Sequence, residues 1–173
     1  NTLNLLKESP KTLLKYQDIF KYILIDEFQD TNILQLEIIK ILAEKNNNLC
    51  VVGDDSQSIY SFRGANINNI LNFNNLYPKA KVFKLEENYR SSKNILDAAN
   101  SLISYNEQKL EKIIWTQKEQ GEKIQLTKIE SDKSEGLMIA EKIKKNYPEK
   151  KYSDHLILYR MNSQSRSIEE GLR

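Results

Sequence analysis

The sequence predicts an α/β fold, a parallel sheet with flanking helices, continued over two successive domains. Three observations carry that expectation. "YILI" at residues 22–25 and "LCVV" at residues 49–52 are continuous apolar runs of strand length, as in strands covered on both faces. Between them Ile33, Leu36, Ile39, Leu42 and Ala43 recur at helical spacing. Strand, helix and strand thus follow within about 30 residues, the length of a βαβ unit with a right-handed crossover. From Ser91 onward, helical stripes and short apolar runs alternate again.

The elements follow in order. Asp30, Thr31 or Asn32 can cap the helix that starts at Ile33. A second helix is predicted at residues 67–76 and a strand at 82–85. Ser91 or Ser92 can cap a helix whose apolar stripe is Ile95, Ala99, Leu102 and Ile103. A polar stretch at 107–123 precedes a strand at 124–129, a helix at 135–146, a strand at 155–159 and a last helix capped by Ser163. The boundary between the two domains is predicted near residues 86–89, giving domains 1–86 and 87–173.

Composition excludes several classes. With 39% hydrophobic and 29% charged residues, the 173-residue chain is that of a globular protein. Its longest apolar runs are about four residues, against the ~20 that a membrane-spanning helix needs. The start, Asn-Thr-Leu-Asn, shows no basic segment followed by an apolar one. A single cysteine, Cys50, cannot form an internal disulfide, which predicts a reducing, cytoplasmic setting. A net charge of +2 does not by itself announce a nucleic-acid partner. Only five of the 26 basic residues are Arg (63, 90, 160, 166, 173), so each marks a place where a planar five-donor fork is useful.

Both apolar runs end in acids, Asp26 and Glu27 after the first and Asp54 and Asp55 after Gly53. In open parallel sheets, ligands gather beyond the carboxyl ends of the strands. One carboxylate there can help hold Mg²⁺ together with substrate phosphates, and a second can deprotonate an attacking water. Spacing alone leaves other readings open: solvated strand ends or helix caps, a receiver-type acidic pocket, or a two-metal phosphohydrolase or nuclease. The receiver reading suits neither the segment 57–63 nor the second domain. "GDDSQSIYSFRGA", residues 53–65, adds Gln57, Tyr60, Phe62 and Arg63. If this segment is extended, Tyr60 and Phe62 share a side and offer a surface for base stacking; the alternative is that they pack under the loop as core. Gly64 is suited to a tight turn. "LEENYRSS", residues 85–92, sets the flat ring of Tyr89 beside the guanidinium of Arg90, suited to a purine and a phosphate, or simply a surface Tyr and Arg at a helix start.

"LIDEFQDTN", "VVGDDSQSIYSFRGA", "LEENYRSS" and "ILYRMNSQSR" resemble, in order and spacing, motifs of the UvrD, PcrA and Rep type of superfamily 1 DNA helicases. The resemblance spans residues 1–173. It implies two RecA-like domains, residues 1–86 being the later part of the first and 87–173 the first part of the second. It also implies an ATP- and Mg²⁺-dependent enzyme that moves 3′ to 5′ on single-stranded DNA and unwinds duplex junctions in DNA repair or replication. Under that resemblance Asp26 holds Mg²⁺, Glu27 activates water, and Gln57 senses the γ-phosphate and signals to the loop after it. Tyr60, Phe62 and Arg63 form a DNA-binding loop, although many relatives carry Trp where Phe62 stands. Tyr89 stacks on adenine, Arg90 reaches the γ-phosphate as an arginine finger, and Arg160 and Asn162 contact the DNA strand.

None of the five glycines lies in a Gly-x-x-x-x-Gly-Lys-Thr phosphate loop. The chain is therefore expected to be an internal part of a longer polypeptide, dependent on the remaining parts of that polypeptide and without measurable ATPase activity alone. A helicase-nuclease subunit acting in recombination is the enzymatic alternative. A non-catalytic platform for DNA or a partner protein is the other, and the joint presence of Asp26, Glu27, Gln57 and Arg90 argues against it.

Overall fold

Asn32 decides where the central helix begins. Its side-chain oxygen accepts from the Gln35 N–H at 2.9 Å, and Gln35 Oε1 accepts from the Asn32 N–H at 2.8 Å, a complete capping box. Of the three candidate caps it is the one used, while Asp30 closes the short 3₁₀ turn Phe28–Asp30. The computed structural model describes residues 1–173, which form two compact units, 1–123 and 124–173.

The first unit begins with α1 (Thr2–Glu8) and α2 (Pro10–Ile19), followed by β1 (Ile23–Ile25), α3 (Ile33–Ala43) and β2 (Leu49–Val51). β1 and β2 pair in parallel in the register Ile23↔Leu49, Leu24↔Cys50 and Ile25↔Val51, so the βαβ unit is present. The strands are not covered on both faces as expected. Ile23 and Ile25 are half-buried, whereas Leu24 is 75% exposed and Cys50 is exposed, because successive side chains point to opposite faces and the core lies on one of them. That core is Phe28, Leu36 and Ile39, packed against Ile25, Leu49, Val51, Ile70 and Phe73. Phe28 is fully buried and meets Phe73 edge-on, ring centroids 5.6 Å apart.

The helix predicted at 67–76 is two short ones, α4 (Asn68–Leu71) and α5 (Phe73–Leu76), interrupted at Asn72. Residues 82–85 form no strand. Phe83 and Leu85 are more than 80% exposed, and an apolar run that meets no partner strand has no ladder to join. The one pairing nearby is a parallel bridge between Glu87 and Trp115. α6 (Lys93–Ser104) starts after Ser92, whose side chain makes no capping bond. Glu119 O and Gln120 O accept from the Lys93 and Asn94 N–H groups instead, so part of the polar stretch 107–123 serves as the cap.

In the second unit, α7 (Asp132–Asn146) starts about a turn earlier than predicted, because Ser131 caps it through Ser134 N–H. α8 (Ser165–Leu172) follows the 3₁₀ turn Asn162–Gln164, so Ser163 lies inside that turn and Gln164 stands at the helix cap. α7 and α8 cross at Gly136 and Gly171: a Cβ on Gly136 would clash with Ser167 O, and one on Gly171 with the Gly136 backbone. Residues 124–129 and 155–159 form no strand ladder, and Leu126, Leu156 and Leu158 are largely exposed. No helix is long and apolar enough to cross a membrane.

The packing separates two apolar residues that look alike in sequence. Phe28→Ala is expected to cost about 3–5 kcal/mol in urea unfolding, and Leu24→Ala to change stability by less than about 0.5 kcal/mol.

Candidate functional site

The backbone pairing of the two strands continues past their ends. Val52 N–H donates to Ile25 O at 2.8 Å and Phe28 N–H to Val52 O at 2.9 Å, so the turn carrying Asp26 and Glu27 is pinned against the start of the Gly53–Asp54–Asp55 loop. Asp26 Oδ1 accepts from the Glu27 N–H at 2.9 Å. Glu27 itself is left-handed, with φ 50° and ψ 43°, a conformation a residue with a Cβ adopts at some cost and one that recurs at functional turns. Both carboxylates are exposed.

Gln29 joins the two loops. It is 1% exposed, its Nε2 donates to Glu27 Oε2 at 2.8 Å, and its Oε1 accepts from the Asp54 N–H at 3.0 Å. Asp54 in turn accepts from the Ser56 N–H at 2.9 Å and from Gln57 Nε2 at 2.8 Å. Glu27, Gln29, Asp54 and Gln57 therefore form one hydrogen-bonded set at the carboxyl end of the sheet, with Asp26 adjoining it.

The acids after the second strand are engaged by a cation. Lys112 donates to both Asp54 and Asp55; the Asp55 side chain is 1% exposed, and its other oxygen accepts from the Leu110 N–H at 3.0 Å. Burial pushes the Asp54 carboxyl up, but the donors Lys112 and Gln57 together with the Lys112 charge outweigh it and hold it below the usual carboxylate value. Burial likewise pushes the Lys112 ammonium down, and its hydrogen bonds to Asp54 and Asp55 raise it above the usual lysine value. Asp54 and Asp55 are thus spent on an ion pair, which leaves the two-metal reading without its second pair of free carboxylates. Mg²⁺ bound alongside substrate phosphates needs only one or two carboxylates, and Asp26, exposed and with Oδ2 uncommitted, fits that requirement.

The segment after Gln57 is not extended. Ser61–Arg63 is a 3₁₀ turn closed by Gly64 at φ 89°, yet the turn still brings the Tyr60 and Phe62 rings together, centroids 6.0 Å apart at 49°. The Arg63 guanidinium lies 5.0 Å from the Tyr60 centroid and 5.4 Å from that of Phe62. Phe62 is 68% exposed and Tyr60 37%, which rules out their packing as core under the loop. Tyr89 has an exposed ring, and its hydroxyl donates to Glu87 Oε2 at 2.8 Å, a bond that raises the phenol above its usual value. Asn88 Oδ1 accepts from the Arg90 and Ser91 N–H groups and shapes the turn that presents the exposed Arg90. No hydrogen bond links Tyr89 or Arg90 to the Glu27–Gln57 set. In the second unit Arg160 and Asn162 are both exposed. Gln164 Oε1 accepts from the Arg160 and Met161 N–H groups, and Asn162 opens the turn before α8.

Sequence reasoning did not single out Gln29 or Lys112. Gln29 sits two residues after Glu27, and an uncharged donor-acceptor among acids was the available signal. Lys112 lies 57 residues beyond Asp55 in a polar stretch and carries no local mark.

Two family models match the chain: the UvrD/REP helicase N-terminal domain over residues 1–78 and the UvrD-like helicase C-terminal domain over residues 83–173. Among curated proteins, the chain is 49% identical over 170 residues to a Staphylococcus epidermidis protein named ATP-dependent DNA helicase PcrA, covering 98% of this chain and 23% of that protein. Proteins of the same name from Staphylococcus aureus and Leuconostoc citreum are 48% identical over 170 residues and 46% identical over 173, covering 98% and 99% of this chain. The chain spans 23% of the length of each.

The ion pair generates a test with a definite sign. Lys112→Met leaves the buried Asp55 carboxylate uncompensated and is expected to cost about 3 kcal/mol near neutral pH, the low end for a broken buried pair because Asp54 remains 31% accessible. Asp54, with its lowered value, contributes stability that is complete above the usual 3.8 and lost as pH falls through its folded value. Lys112, with its raised value, contributes stability that is complete below the usual 10.5 and lost as pH rises through its folded value. The difference between wild type and variant is thus expected to be largest near neutral pH and to shrink as pH falls into the acid range or rises through the folded value of Lys112, as read from urea unfolding across the pH range.

Proposed function

Since the chain belongs to the UvrD-like helicase family, we propose that it supplies part of the ATPase site and part of the DNA path of an ATP-dependent DNA helicase. The observation that carries the proposal is the hydrogen-bonded set Glu27–Gln29–Asp54–Gln57, which ends three residues before an exposed aromatic pair topped by an arginine. Residues 1–86 are read as the later part of a first RecA-like domain and 87–173 as the first part of a second. The changeover between the two family models, between residues 78 and 83, supports that reading.

In the proposed reaction Asp26 helps hold Mg²⁺, which when bound would neutralise phosphate charge. Glu27 orients a water and takes its proton as the water oxygen bonds to the γ-phosphorus, while the bond from that phosphorus to the β–γ bridging oxygen breaks and ADP leaves. Gln57, anchored to Asp54, is placed to register the γ-phosphate and to pass the change to the turn it precedes. Tyr89 would stack on adenine, and Arg90 would stabilise the charge that develops on the transferred group. Tyr60, Phe62 and Arg63, with Arg160 and Asn162, would contact single-stranded DNA near the duplex junction, moving 3′ to 5′. Repair or replication is the process this activity serves. A cytoplasmic setting belongs to the same reading, resting on the lone Cys50. The remaining parts of the same polypeptide complete the site, above all the phosphate cradle.

Two measurements test the proposal. In the complete polypeptide, Glu27→Gln is expected to leave nucleotide affinity within about threefold and to lower turnover by about 10²–10⁴-fold; unchanged turnover would remove Glu27 from its role. For DNA, Tyr60→Ala and Phe62→Ala should each weaken single-strand binding by about 1–3 kcal/mol without changing its salt dependence, since no charge is lost. Arg63→Gln should instead flatten the log–log salt slope by about 0.7, the contribution of one phosphate contact on a single strand. Filter binding at several salt concentrations separates the two effects.

A further inference from the structure

Glu27 is exposed, sits on a strained left-handed turn and carries a side chain with three rotatable bonds. Nothing in its own backbone fixes where its carboxylate points. The group that does so is Gln29, and its amide orientation is determined by chemistry: the Asp54 backbone nitrogen can only donate, so the Gln29 oxygen must face it. The Gln29 nitrogen then faces Glu27 Oε2 at 2.8 Å, with a weaker approach of 3.5 Å to Asp30 Oδ2. The surroundings hold this arrangement. Gln29 is 1% exposed, and Gly53 leaves the space for its oxygen, since a Cβ on Gly53 would lie 2.5 Å from it.

We propose that Gln29 is a positioning residue for ATP hydrolysis: it holds the Glu27 carboxylate in place for water activation and ties that placement to the loop after β2. The proposal rests on the reading of Glu27 as the base. The physical gain is pre-organisation, since a carboxylate held by a buried donor spends its time at one position and a free one is spread over several rotamers. The anchor is also the amide of the residue that holds Gln57, so a shift in either loop reaches the base through one side chain.

The test is steady-state ATPase kinetics of the complete polypeptide with Gln29→Met and Gln29→Glu, beside Glu27→Gln and the double variant Glu27→Gln/Gln29→Met. Gln29→Met keeps the apolar volume and removes both bonds. Gln29→Glu keeps the acceptor for Asp54 and replaces the donor with a carboxylate, which either repels Glu27 or shares a proton with it. Both single variants are expected to lower kcat by about tenfold or more, the scale typical of lost supporting contacts, while KM for ATP stays within about twofold. The double variant should be no slower than Glu27→Gln alone. Binding of a fluorescent ATP analogue at wild-type affinity identifies the folded variants. If either folded variant keeps wild-type kcat, or if kcat is spared and KM rises, Gln29 does not position the base and the proposal is overturned. If Glu27→Gln itself retains turnover, the reading of Glu27 fails first, and that outcome is distinct from normal kcat in the Gln29 variants beside an inactive Glu27→Gln.

Discussion

The parallel pairing of two three-residue strands is the constraint on which the candidate site depends. Three paired positions are few, but the ladder does not stop at the strand ends: the Val52 and Phe28 amides extend it by two more bonds. Those bonds bring two loops of like charge side by side, four carboxylates within a few residues of the sheet edge. Such an arrangement repels itself unless it is compensated. Compensation is divided: Lys112 takes Asp54 and Asp55, and the amide of Gln29 takes Glu27. Asp26 keeps an uncommitted oxygen, so the carboxylate left without a side-chain partner is at the first strand.

The turn is held from below as well. Phe28, between Glu27 and Gln29, is fully buried in the core, and Thr31 is fixed by Asn69, whose Nδ2 donates to both the Thr31 carbonyl and its hydroxyl at 3.0 Å. The exposed Asp26 and Glu27 are thus followed directly by the buried Phe28 and Gln29, and the strain at Glu27 is balanced by the burial that follows it. A left-handed residue of this kind costs of order 1–3 kcal/mol, less than the burial of Phe28 contributes.

Legibility in the sequence followed the range of the interactions. The Ile33–Ala43 helix was readable because its cap and apolar stripe lie within a dozen residues, and the βαβ unit followed from the two runs on either side. The apolar runs at 82–85, 124–129 and 155–159 carry the same local signal and form no ladder, because a strand exists only with a partner and the partner is not a local property. A hydroxyl before a helix is a frequent cap, but Ser163 does not serve as one because the 3₁₀ turn shifts the helix boundary by a residue. At the site, Asp26, Glu27 and Gln57 stand out by position and motif. Gln29 and Lys112 do not, since the contact that ties Gln29 to the second loop spans 25 residues and that of Lys112 with Asp55 spans 57.

The aromatic turn raises one energetic question that magnitudes answer. Arg63 lies over both Tyr60 and Phe62, so it covers the faces on which, in the proposed role, bases would stack. An exposed cation–π contact is worth about 0.5–1 kcal/mol, and a stacked base about 1–3 kcal/mol. In the proposed role, stacking would therefore displace the guanidinium at a net gain, and the displaced charge would have a phosphate to meet on the same strand. In the proposed role the arginine would cover the apolar pair in the absence of DNA and contact the backbone in its presence. In the proposed role such a turn would need a fixed root and an exposed tip. The hydrogen bond from Gln57 to Asp54 is the root; the exposed Phe62 and Gly64 form the tip.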